Sequence, residues 1–212
     1  MSTPKFDRMC IDFVQRVPDN FRTTFIAGSG DMPDCNLLKA ETIVDYINRG
    51  LFELFSDSWQ SCAGNARKFI SLFPELAGLS EAVSLSGGNY TIASPHKDFY
   101  KLIGAVKVND KRFIKVKDEY LYTVYLSGEY ENIIKPTSDK PVIIQINQLL
   151  AVFPQDISGK IKFQYIKAPL DPATGGLIEQ NGDADSPFAD HWHESIVSRA
   201  YLKYLEEVNK TT

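Results

Sequence analysis

Between residues 98 and 168 the spacing of apolar residues stops being helical. KLIGAVKV (101–108) is β-branched and apolar, and KRFIKV (111–116) follows it after Asn109-Asp110. Asn and Asp both tolerate positive φ, so this two-residue link between β-like runs predicts a hairpin. PVIIQI (141–146), LLAVFP (149–154) and KIKFQYIKAP (160–169) repeat the strand character. In the last run Ile161, Phe163, Tyr165 and Ala168 alternate with Lys160, Lys162, Gln164 and Lys167. That is the two-residue period of a half-buried strand, interrupted only by Ile166. The long helical patterns lie on either side of this region, so a small sheet packed against helices is expected.

Thr3-Pro4 reads as a cap followed by proline at the first helical position. Phe6, Met9, Cys10, Phe13, Val14 and Val17 then share one helical face, up to Pro18. GSGDMPD (28–34) is a loop by composition; it lacks the lysine and following helix of a phosphate loop. Ile43, Ile47, Leu51, Leu54 and Phe55 form the clearest helical stripe, with Glu41, Asp45, Asn48, Arg49 and Glu53 around the rest. Gly50 inside that stripe costs about 1 kcal/mol relative to alanine, which a close helix crossing would explain. A weaker helix over 65–76 carries Phe69, Leu72, Phe73 and Leu76, and Pro74 should break it. Gly87-Gly88 is expected to open the sheet region, with a short strand at Tyr90 and a turn at Ser94-Pro95. Asp118 should cap a short helix carrying Leu121, Val124 and Tyr125. Ser186-Pro187 repeats the cap-then-proline signal. Beyond it Ile196, Val197, Ala200, Tyr201, Tyr204, Leu205 and Val208 make a broad apolar face.

The fold class expected is therefore α+β: a bundle of N-terminal helices and a long C-terminal helix, packed with a small, mostly antiparallel sheet. The 212 residues fit one domain, with a loop or arm at about 170–185. Hydrophobic residues at 43% and aromatics at 12% supply a core. Lys and Arg are scattered and the net charge is −4, against a dedicated nucleic-acid binder, although a basic rim could arise on oligomerisation. Cys10, Cys35 and Cys62 share no close spacing and read as thiols of a reducing compartment. No apolar run approaches a membrane span and MSTPKFDR lacks a signal-peptide core, so a cytosolic protein, or one assembled there into something larger, is expected.

Little points to chemistry. Asp190-His191-Trp192-His193-Glu194 holds the one His-x-His pair. On a strand both rings would share a face, but at the start of a helix residues two apart diverge by about 200°. His96 is remote in sequence. No nucleophile elbow, HExxH, paired CxxC, dinucleotide fingerprint or phosphate loop occurs. No residue is assigned a catalytic, cofactor or metal role, and a non-enzyme is expected. The alternative is a small cell-wall hydrolase using carboxylates and the His191/His193 pair. Tyr120, Tyr122, Tyr125 and Tyr130 cluster, a pattern of packing at a core edge or subunit contact. The segment 170–185 carries Leu177 and Ile178 among glycines and prolines, and is expected to be mobile in the free subunit and ordered against a partner.

Four stretches together resemble the head-to-tail connector (adaptor) proteins of tailed bacteriophages. AETIVDYINRGLFELFSD (40–57) resembles the early acidic-then-apolar helix of that family. NYTIASPHKDFYKLIGAVKV (89–108) resembles its strand, proline turn and entry into a hairpin. LLAVFPQDISGKIKFQYIKAPLDP (149–172) resembles its strand–proline–strand. SPFADHWHESIVSRAYLKYLEE (186–207) resembles its closing helix. The order matches over most of the chain, and the tyrosine-rich insertion and the size lean towards the ring proteins of crAss-like phages. The resemblance implies a non-enzymatic virion protein, a ring of copies at the head–tail junction, assembled in the host bacterial cytoplasm. Its partners would be the portal, other tail or ring proteins and, without sequence specificity, the double-stranded DNA passing through. Only NKTT follows the last helix, so the long C-terminal arm of some relatives is not expected. Candidate partner-contact residues are Leu170, Leu177, Ile178, Tyr120, Tyr122, Tyr130 and Trp192.

Overall fold

The structure, a computed structural model, describes residues 5–17, 38–81, 83–85, 87–92, 96–108, 111–112, 114–116, 120–129, 135–147, 149–171, 173–179 and 186–211. The fold is α+β, with five α-helices among the described residues and two mostly antiparallel sheets. The chain forms two compact units, one of residues Met1–Leu76 with Ala168–Thr212 and the other of Ala77–Lys167.

In the first unit α1 (Lys5–Arg16), α2 (Ala40–Ser61) and α5 (His193–Thr211) pack on one another. Every apolar residue of the predicted α1 face is buried, as are Ile43, Ile47, Leu51, Leu54 and Phe55 of α2. Helices α2 and α5 run antiparallel, and Gly50 is where they meet. A Cβ there would lie 2.6 Å from the Ile196 carbonyl oxygen, so the close crossing explains the glycine. Along the rim Arg49 pairs with Glu207 (2.6 Å) and Asp45 (2.7 Å), and Lys203 with Glu53 (3.3 Å). Such exposed pairs add little each, so the buried stripe holds the helices. The weaker helix is α3 (Ala66–Leu72); Asn65 caps it by accepting from the backbone N–H groups of Arg67 and Lys68. It ends before a 3₁₀ turn at Pro74–Leu76, as the proline requires. The cap before α5 is not the expected one. The Ser186 hydroxyl accepts from the Phe188 N–H instead, while the Glu75 carboxylate accepts from the Ala189 N–H at 3.1 Å, at the start of the 3₁₀ turn Asp190–Trp192 that leads into the helix.

The second unit begins earlier than the glycine pair suggests, with β1 (Ala77–Leu79) and β2 (Val83–Ser84), both paired with β9 (Lys160–Lys167). Strand β4 (Phe99–Val108) pairs with β9 and with β5 (Lys111–Arg112). Val108 faces Lys111, so β4 and β5 form the predicted hairpin across 109–110, which lie outside the described residues. KRFIKV is not one strand, however. Its second half, β6 (Ile114–Val116), runs parallel to β7 (Val142–Ile146) in the other sheet. That sheet has the order β3 (Asn89–Thr91), β8 (Leu149–Phe153), β7, β6. The β7–β8 turn places Asn147 at φ 50, a left-handed conformation asparagine tolerates.

Leu102, Val106 and Val108 of β4 and Ile161, Phe163 and Tyr165 of β9 join Ile143, Leu150 and Val152 of the other sheet in one core. The alternate residues Val142, Ile144, Ala151 and Phe153 pack with Tyr125, Leu121 and Tyr122 of the short helix α4 (Leu121–Ser127). Strands β7 and β8 are therefore covered on both faces, which is why they read as continuous apolar runs. The N-cap position of α4 is Tyr120, without a side-chain bond, and Asp118 lies outside the described residues.

Candidate functional site

The predicted contact residues are divided between the two units, Tyr120 and Tyr122 in one and Leu170, Leu177, Ile178 and Trp192 in the other. Tyr120 is 70% exposed at the start of α4. Tyr122 is half-buried, edge-on to Phe153 at 5.9 Å, and Tyr125 stacks on the same ring at 5.5 Å, so these two belong to the packing under α4. Tyr130 lies outside the described residues. Trp192 is half-buried, its ring 4.7 Å from Phe73, with Nε1 buried and no acceptor for it among the described residues.

The segment after residue 170 is held where it is described. The Asp171 carboxylate accepts from the Ala173 N–H (2.8 Å) and the Thr174 hydroxyl (3.0 Å), and the Gly175 N–H donates to the Asp171 carbonyl at 2.7 Å. Leu170 is half-buried and Leu177 is 48% exposed, but Ile178 is fully buried. Its backbone is clamped by Asn48, whose Nδ2 donates to the Ile178 carbonyl (2.8 Å) while Oδ1 accepts from its N–H (3.1 Å). Ile178 is therefore not available to a partner in this conformation. Asn48 had no sequence signal; it sits on the polar side of the stripe, yet is 1% exposed. Replacing Asn48 with alanine leaves two buried backbone groups of Ile178 unpaired, at about 1–3 kcal/mol each. A fall in melting temperature with faster hydrogen exchange at Ile178 is expected; unchanged exchange there would show that the clamp is dispensable.

The histidine pair diverges. His191 is exposed, its ring 5.0 Å from that of Trp192, whereas the His193 side chain is 12% exposed with Nε2 3.7 Å from an Asp190 oxygen. Among the described residues no group of three or more His, Cys, Asp or Glu converges as a metal site would need. Cys10 and Cys62 are buried free thiols, and burial pushes the Cys10 thiol far up.

A second polar cluster, not visible in the sequence, lies around Phe163. His96 sits edge-on to Phe163 (5.3 Å) and 5.1 Å from Tyr165, with Nε2 buried and unpartnered among the described residues. The Tyr165 hydroxyl donates to Asp98 at a long 3.4 Å, and burial with the nearby Asp98 charge pushes that phenol up to about 12. Burial also holds His96 below its ordinary 6.5, with Asp98 pulling the other way. The unfolded chain therefore protonates first as pH falls. Stability from this group is full above about 6.5, starts to be lost below it, and is gone once pH has passed the folded value. The melting temperature is expected to fall between about pH 7 and 5, less so in His96→Phe; an identical fall in both would assign the acid sensitivity elsewhere.

No protein-family model matches the chain, and no curated protein sequence matches it.

Proposed function

We propose that this chain is a non-enzymatic structural protein of a phage particle, a subunit of a closed ring that joins portal to tail and lines the genome passage. The observation that carries the reading is the order of the four stretches. Residues 40–57 lie in α2, 89–108 run from β3 through β4, 149–172 take in β8 and β9, and 186–207 lead into α5. No described helix is long and apolar enough to cross a membrane. A cyclic ring needs a heterologous contact, one patch of each copy meeting a different patch of the next. Tyr120 and Leu177, with their exposed rings and methyl groups, are the candidate contributors to it, and the virion head–tail junction is the site of action.

Deleting the gene from its phage tests this directly. DNA-filled heads without attached tails are the expected product. Infectious particles made without the protein, or a lytic zone from the purified protein on a cell-wall gel, would overturn the reading.

A further inference from the structure

We infer that Tyr90, His96, Asp98 and Tyr165 form a binding site for ferric ion, a hard trivalent cation held by two phenolates, a carboxylate and an imidazole. The donors come from three places in the β-rich unit: Tyr90 from β3, His96 and Asp98 from the approach to β4, and Tyr165 from β9. The Tyr165 ring lies 5.1 Å from the His96 ring, and its hydroxyl is 3.4 Å from Oδ1 of Asp98. That spacing is long for a hydrogen bond between two oxygens. Two oxygens on one small ion at about 2.0–2.2 Å lie about 2.8–3.6 Å apart, from octahedral to tetrahedral angles. Nε2 of His96 and the Tyr90 hydroxyl are both buried without a hydrogen-bond partner among the described residues. Tyr90 is near enough to Tyr165 to act on its phenol electrostatically, as Asp98 is to both Tyr165 and His96. Buried polar atoms are almost always paired, so two such atoms beside a long contact call for one shared ligand.

The backbone around the donors is set in advance. The His96 N–H donates to the Ile92 carbonyl (3.1 Å), and the His96 carbonyl accepts from the Phe99 N–H (3.0 Å). Gly78 of β1 faces Tyr165, and a Cβ there would collide with that ring, so the glycine leaves the phenol its place. Phe99 and Phe163 pack against the Tyr165 ring, with centroids 5.5 and 5.9 Å away. An ion in such surroundings must be neutralised. Two phenolates and a carboxylate carry three negative charges and balance a trivalent ion; a divalent ion needs only two of them and leaves one phenol without a role. Their oxygens are hard donors, which disfavours soft cations. Asp98 and Tyr165 are buried, but Tyr90 and His96 are half-buried and give an ion its way in. Two of the four donors are phenols, so the site is not a cluster of His, Cys, Asp and Glu. Because β3 and β9 belong to different sheets, bound iron clips the two sheets of this unit together.

The test uses the full-length chain, stripped of metal and titrated with ferric nitrilotriacetate and, separately, with zinc. One iron per chain is expected, with a phenolate-to-iron charge-transfer band in the visible, release of protons and a higher melting temperature. Tyr165→Phe and Asp98→Asn are expected to lose the band and to weaken binding by more than the roughly 10–100-fold that removing a group which merely supports a ligand costs. Tyr165→Phe removes one oxygen and keeps the ring, so it decides the matter even if Asp98→Asn fails to fold. Tyr100→Phe, at a tyrosine that is 40% exposed and outside the site, should keep both band and affinity. No band in wild type, a band undiminished in Tyr165→Phe (an adventitious ion only), or zinc bound in preference to iron would each overturn the assignment. None of these readouts needs a ring, so failure here leaves the connector reading untouched.

Discussion

Ile47→Asp is expected to abolish the helical unit. Ile47 is fully buried at the centre of the α2 stripe, between Ile43 and Leu51, which are also fully buried. An unpaired carboxylate there costs several kcal/mol, against a whole-domain stability of about 5–15 kcal/mol. Ile47→Val removes one methylene and costs about 0.5–1.5 kcal/mol, so it separates the buried charge from the mere loss of volume. Circular dichroism and thermal melts of the two variants decide the matter. A soluble Asp variant with the parent's melting temperature would show that the stripe faces solvent.

Phe163→Ala is expected to be nearly as damaging to the β-rich unit. Phe163 is 2% exposed and lies within ring-contact distance of Tyr90, His96, Phe99 and Tyr165. Its backbone is also tied to Ser80, whose hydroxyl accepts from the Phe163 N–H at 2.9 Å while the Ser80 N–H donates to the Phe163 carbonyl at the same distance. Truncating a buried phenylalanine costs about 3–5 kcal/mol, because the surrounding rings cannot close the cavity fully. Hydrogen exchange should rise along β4 and β9. Protection there equal to wild type would place the core elsewhere.

These residues were legible because period is a local property. The α2 stripe and the β9 alternation each follow from side-chain direction in one element, and Gly50 could be read as a crossing because a glycine in such a stripe needs a reason. What escaped the sequence depends on partners. Strands β1 and β2, of three and two residues, are too short to show a period and exist because β9 accepts their hydrogen bonds. Nothing in KRFIKV marks the point where the chain leaves one sheet for the other. Leu177 and Ile178 are adjacent and chemically alike; the backbone clamp on the buried Ile178 comes from Asn48, 130 residues away. Ser186 has the chemistry of a helix cap, but Glu75 from another element takes the capping role at Ala189. KIKFQYIK displays its alternating lysines openly, but register alone sets Lys162 against Lys107.

The central claim is that copies of this chain close into a ring. Electron micrographs of the purified full-length protein, taken over a range of concentrations, test it most directly. Closed rings of one stoichiometry, with a central hole wide enough for a DNA duplex, are predicted. Single subunits at every concentration, or open filaments without closure, would contradict it.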